Sequence, residues 1–261
     1  MRRMRFQAQE LYILAAIAGK EKMYGIPNGF AGTSQREEQT VRQIITDSML
    51  EEGIINMDFN GNYSISEKYA AIAEIYCDCN KCMTVNKQLP DGKAENLIFW
   101  RDDAHLFLAE IEGDYYCLRE CDTMEVEARV SGESWTGVEE YYNSVFTIPQ
   151  IALKKAKRFA IKNDSDNAIR ILKQNGADER AAVILFDGLQ ETAHYLRLRL
   201  LNLKPDYCEE VEKEWLNSRG VILSLHQTVV NYRTCTCFTE VSEKSVEQGV
   251  REILANYLAN G

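Results

Sequence analysis

Between Tyr195 and Val241 the chain offers four strand-forming stretches in close succession. They are Tyr195–Leu203, Tyr207–Leu216, Val221–Val230 and Arg233–Val241, and Asn217-Ser-Arg-Gly220 is the clearest turn among them. Strands joined this closely pair antiparallel, because a parallel pair needs a crossover of about a dozen residues or more. A similar succession occurs earlier, in Asn96–Trp100, Ala104–Ile111, Tyr115–Cys121 and Met124–Val130. There the separators are Arg101-Asp-Asp103 and Glu112-Gly-Asp114. In the last stretch Met124, Val126, Ala128 and Val130 alternate with Glu125, Glu127 and Arg129, which predicts a strand with one buried face.

Helical patterns precede each meander. Residues 7–18 place Leu11, Leu14, Ala15 and Ala18 on one face, with Gly19 suited to the C-terminal end. Thr33 or Ser34 is placed to cap a second helix with Glu37 and Glu38 in its first turn, ending at Gly53. Ile54–Ile65 predicts a hairpin about Asn60-Gly61, and Ser66 a cap for a third helix. Ahead of the second meander, Pro149 marks a helix start, Ser165 caps Asp166–Gln174, and Asp178 caps Glu179–Glu191. Ser242 caps a last amphipathic helix that carries Val246, Val250, Ile253, Leu254, Tyr257 and Leu258.

Helices must cover sheet faces, so the sequence predicts an α+β protein. We expect a mostly antiparallel central sheet with flanking helices, in two halves of similar element order. The halves are 1–137 and 138–261, joined in one compact unit without a linker.

The chain has 261 residues, of which 30 are Lys or Arg and 40 Asp or Glu, a net charge of −10 with His neutral. That balance disfavours binding to nucleic acid, whose phosphates select basic surfaces. The apolar run Leu11–Ala18 falls well short of the roughly 20 residues of a membrane span and makes a poor signal-peptide core. A cytoplasmic protein without membrane insertion is expected. In that compartment the eight cysteines are expected to stay reduced.

Cys77-Asp-Cys-Asn-Lys-Cys82 holds one CxxC, Cys79 and Cys82, with no second CxxC to complete a tetrahedral site. Cys117 with Cys121, and Cys235 with Cys237, are same-face strand pairs that behave as small buried hydrophobes. We expect no metal and no cofactor. The histidines His105, His194 and His226 stand apart, and His226 shares a strand face only with Ser224 and Thr228. No nucleophile elbow, zinc-protease or phosphate-loop motif occurs. Asp102-Asp103 and Glu209-Glu210 are adjacent acids that diverge in a strand. No catalytic residues are expected. Helix, hairpin, helix over Glu37–Ile65 allows a winged helix, but Thr40–Glu52 offers one Arg against one Asp and two Glu.

The element order resembles the EspG-like family, cytoplasmic chaperones of type VII (ESX) secretion. The likeness lies in Glu10-Leu11 and in Leu50-Glu-Glu-Gly-Ile-Ile-Asn-Met-Asp-Phe-Asn-Gly-Asn-Tyr-Ser-Ile-Ser66 with its following helix. It continues in the ending, Tyr232-Arg233 through Val241 and the helix Ser245–Leu258. The resemblance implies a pseudo-twofold α+β fold and a non-enzymatic protein that binds a helical secreted substrate and keeps it soluble. It also points to a loop between meander strands as a contact, here Glu112, Gly113 and Asp114. The many cysteines are not accounted for by the resemblance. A winged-helix-type transcriptional regulator, and a zinc- or thiol-dependent protein using the Cys77–Cys82 cluster, are the alternatives.

Overall fold

The computed structural model describes residues 4–89, 91–131, 135, 144–190, 193–204 and 206–259. The first half runs β1 (Met4–Gln7), α1 (Ala8–Ile17), α2 (Gln35–Glu51), a hairpin of β2 (Ile55–Met57) and β3 (Tyr63–Ile65), and α3 (Glu67–Asp78). Its meander is β4 (Lys81–Gln88), β5 (Ala94–Arg101), β6 (Leu106–Glu112) and β7 (Tyr115–Glu120), closed by α4 (Thr123–Ser131). The second half runs β8 (Val145–Pro149), α5 (Gln150–Ala160), α6 (Ser165–Gln174) and α7 (Glu179–Gly188). Its meander is β9 (His194–Leu203), β10 (Cys208–Ser218), β11 (Val221–Val230) and β12 (Arg233–Val241), closed by α8 (Glu243–Leu258).

The β2–β3 hairpin aside, the two halves share one order: strand, three helices, four strands, helix. Their strands form one ten-stranded sheet in the order β1-β7-β6-β5-β4-β9-β10-β11-β12-β8. Every neighbouring pair is antiparallel, as expected for meanders. The halves meet at β4 and β9, where Lys81 pairs with Asn202 and Gln88 with Tyr195. The expected division at 137/138 lies outside the described residues. Trp135, just before it, is buried and stacked on the His194 ring, with centroids 4.1 Å apart.

Alternation along the strands separates three cores. Cys82, Ile98 and Trp100 face α1 to α3, whereas their neighbours Met83, Leu97 and Phe99 face α4 and α8. On β9, Leu196, Leu198 and Leu200 also turn toward α8. Leu216, Leu223 and Phe238 face α5 to α7. Leu201 packs with the first group and Tyr195 with the third, and both are odd positions of β9. Odd positions of a strand share a face, so α1 to α3 and α5 to α7 cover the same face of the sheet. The middle of that face lies between the two helical groups. It carries Arg197 and Arg199, which pair with Glu212 and Glu210 across the β9–β10 ladder.

Two buried lysines of β4 tie the opposite face down. Lys81 Nζ donates to the carbonyls of Asn256 and Ala259, both at 2.6 Å, at the C-terminal end of α8. Arg101 adds a bond to the Tyr257 carbonyl at 3.0 Å. Lys87 donates to the Arg129 carbonyl near the end of α4. The last carbonyls of a helix lack intrahelical partners, and a cation there also meets the negative end of the helix dipole.

Several local expectations change. Met124–Val130 is a helix, not a strand. Val126 and Val130, four residues apart, are its buried positions, while Met124 is 77% exposed. Glu125 and Arg129 turn to the sheet, where Arg119 pairs with Glu125 and Arg129 with Glu95 and Glu110. Asp122 Oδ1 accepts from the Glu125 amide at 2.8 Å and starts the helix. The short strands β1 and β8 and the inner strand β4 were not expected from the sequence. Of the two candidate caps for α2, Ser34 serves, bonded reciprocally with Glu37, but α6 is capped by Asp164 rather than Ser165. Ser66 precedes α3 as expected, yet its hydroxyl donates to the carbonyls of Gly53 and Ile54 and fixes the hairpin instead.

Candidate functional site

A cavity of about 580 Å³ opens between the sheet and the second helical group. Its floor comes from β9 to β12 and includes Tyr195, Arg197, Glu214, Leu216, Leu225 and Phe238. One wall is α5, through Leu153, Lys154 and Lys157, and the other is α7, through Leu185, Gly188 and Leu189. The sequence explains both approaches. The buried face of α5 is a row of alanines, Ala152, Ala156 and Ala160, which lets the helix sit low on the core. A Cβ on Gly188 would lie 2.6 Å from Leu216 Cδ2, so glycine sets how closely α7 meets β10.

The cavity mixes apolar and charged groups. Lys154, Lys155, Lys157 and Arg158 make α5 a basic helix with no acidic residue, in a chain of net charge −10. None of the four forms an ion pair with another described residue. Inside, Tyr195 Oη donates to Glu214 Oε1 at 2.9 Å. Burial raises the Glu214 pKa above the ordinary carboxylate value, and the Tyr195 bond and Arg197 offset this only in part. Burial and the neighbouring Glu214 push the Tyr195 phenol upward.

A raised carboxyl pKa means the folded chain holds its proton to higher pH than the unfolded chain does. Stability therefore falls as pH rises from the ordinary carboxylate value through the folded value. Glu214→Gln removes this term. Urea titrations across pH 4.5 to 7.5 should show the variant gaining stability relative to the parent as pH rises. A constant difference would show that Glu214 carries no such cost.

The expected contact Glu112-Gly113-Asp114 forms the exposed β6–β7 tip, with Gly113 at φ +61°. It lies in the first half, and none of the three residues lines the cavity. Cys117 Sγ lies 3.5 Å from Glu112 Oε2, and Arg5 stacks on the Tyr115 ring at 3.8 Å beside the tip. The histidines are not brought together. His105 is exposed beside Asp102, His194 lies under Trp135, and His226 is exposed on β11.

Cys77, Cys79 and Cys82 are buried. Burial pushes the Cys77 and Cys82 thiols up to about 12, which holds them protonated and unreactive near neutral pH. Among the described residues no group of three or more His, Cys, Asp or Glu is arranged to hold a metal ion. Arg42, the lone arginine of the winged-helix reading, is tied to Glu38 at 2.6 Å and stacked over Tyr12 and Phe30. It is therefore committed within the fold rather than presented to a phosphate.

Sequence reasoning missed the cavity because its lining comes from seven separate elements. The one local signal was the run of cations in Lys154-Lys-Ala-Lys-Arg158. Among the described residues no helix is long and apolar enough to cross a membrane.

The sequence matches no protein-family model and no curated protein. Among solved structures, the fold is similar to the Mycobacterium tuberculosis type VII secretion system chaperone EspG5, determined in complex with the PE25–PPE41 dimer. The TM-score is 0.51 at 13% sequence identity, over 100% of this chain and 98% of that chain. At that identity the likeness is one of fold, and it extends over both halves of the chain.

Proposed function

We propose that this protein is a non-enzymatic, cytoplasmic chaperone or adaptor that binds a helical substrate of type VII secretion. The observation that carries the reading is the full-length fold likeness to EspG5, a chaperone caught with its protein partners. The cavity under α5 and α7 gives the reading a physical basis. Its floor sets Leu216, Leu225 and Phe238 beside the paired Tyr195 and Glu214, and its α5 wall carries lysines, an arrangement that can take one face of an amphipathic helix. The β6–β7 tip, Glu112 to Asp114, is a second proposed contact in the other half. Its acidic side chains, Glu112 and Asp114, lie exposed at the surface, where they would set the charge of an interface rim.

The test is co-expression with the small helical secreted proteins encoded beside the gene, followed by size-exclusion chromatography. We expect one of them to elute with the chain and to precipitate without it. A set of such proteins that is soluble alone and elutes separately would overturn the reading. With a complex in hand, Glu112→Lys with Asp114→Lys should slow association several-fold at low salt, because rim charges act mainly on the on-rate. An unchanged rate across ionic strengths would remove the tip from the interface.

A further inference from the structure

Element order makes the β11–β12 connection the counterpart of the β6–β7 tip, and the two differ sharply in chemistry. The first-half tip is polar and places glycine at positive φ. In the second half, Val230 pairs with Arg233 across a two-residue turn, Asn231 and Tyr232, whose φ angles are +49° and +62°. Two left-handed residues make the turn that best fits strand twist, and glycine is favoured at its second position. A bulky residue at positive φ is a strained outlier. Tyr232 bears this strain while fully exposed to solvent, so no contact within the chain offsets it.

The strained tip is continuous with the cavity. Leu225 and Gln227 line the floor, and Val229 follows on the same face of β11, 70% exposed. Ile151 in the first turn of α5 is also exposed, two residues after Pro149, which pairs with Cys235 on β12. Beyond Gln227, the exposed Val229, Tyr232 and Ile151 thus add apolar surface at the β11–β12 end. Along it runs α5, with Lys154 and Lys157 at the cavity wall.

We infer that the cavity and this hairpin form one docking surface for an amphipathic helix of a partner protein whose apolar stripe is flanked by acidic residues. The inference rests on the chaperone reading and names the chemistry of its partner. The apolar stripe covers Val229, Tyr232 and the apolar residues of the floor, Leu216, Leu225 and Phe238, and the acidic flank meets Lys154 and Lys157. Charge complementarity selects this occupant. A basic helix set in an acidic chain attracts what the rest of the surface repels.

The probe is a pair of labelled amphipathic helical peptides of about 20 residues, long enough to hold a helix. They share one leucine stripe and differ in flanking Glu or Lys. Fluorescence anisotropy should show the Glu peptide binding at least about tenfold more tightly than its Lys isomer. Lys154→Glu with Lys157→Glu should abolish or invert that preference. Tyr232→Gly separates contact from folding. Glycine relieves the positive φ, so Tm should hold or rise while affinity for the Glu peptide falls about fivefold or more. Equal binding of both peptides, binding of neither, or affinity unchanged in both variants would overturn the assignment. If a native secreted partner bound the Lys154, Lys157 variant undiminished, the chaperone reading would stand and this partner chemistry would fall.

Discussion

Lys81→Met should lower the stability of the fold by about 3 kcal/mol, with Tm falling by about 6 to 10 °C for a chain of this size. Methionine fills much the same volume as lysine, so packing changes little and the loss is polar. The Asn256 and Ala259 carbonyls lose a charged donor at 2.6 Å, and Lys81 is only 8% exposed, so water replaces it poorly. Hydrogen bonds to charged groups contribute about 1.5 to 3 kcal/mol each, and the helix dipole adds to them. Burial and the nearby Arg101 push the Lys81 pKa down, so the ammonium carries a desolvation cost. Methionine removes that cost, which is why the expected loss is nearer one strong bond than two. Urea denaturation gives the value, and a change below about 0.5 kcal/mol would show that solvent or Arg101 takes over both carbonyls.

Leu198→Ala should cost about 3 to 4 kcal/mol, in the upper part of the range for buried leucines. Leu198 is fully buried on β9, packed with Met83 and Val85 of β4 under α8, so its cavity opens where the halves join. The more telling readout is cooperativity. Trp100 sits in the first-half core, Trp135 at the crossing on His194, and Trp215 under α8 in the second half. If the halves form one unit, single-tryptophan variants carrying Leu198→Ala should all unfold at one shifted urea midpoint. Separate midpoints for Trp100 and Trp215 would mean that each half holds its own stability, against the expected single compact unit.

Legibility in the sequence followed locality. The second meander was readable because long strands alternate cleanly, as in Leu196, Leu198 and Leu200 against Tyr195, Arg197 and Arg199. The α2 start was readable because Ser34 and Glu37 hold each other reciprocally. Met124–Val130 was misread because Val126 and Val130 satisfy both a period of two and a spacing of four. Asp122 three residues before Glu125 was the signal that favoured a helix. Strand β4 was hidden by Lys81 and Lys87, which look like solvent-facing residues. Each is buried because it reaches a helix terminus that no local pattern reveals. The candidate site was the least legible part. Glu112 to Asp114 could be chosen from one hairpin, whereas the cavity needs α5, α7 and five neighbouring strands, β4 and β9 to β12, brought together.

The ends of the sheet bear on how the protein behaves at high concentration. An outermost strand is a ready template on which a foreign chain can extend the ladder, and fibres grow in that way. Here the outermost strands are β1, with four residues, and β8, with five, and β8 finishes in a proline that has no N–H to give. Each passes at once into a helix, at Ala8 and at Gln150, so the chain leaves the plane before a longer template can form. Among the described residues, both margins of a very wide sheet therefore offer little template for edgewise growth. A change that lengthened β8, such as Pro149→Val, would put the colloidal stability of the molecule at risk before its fold.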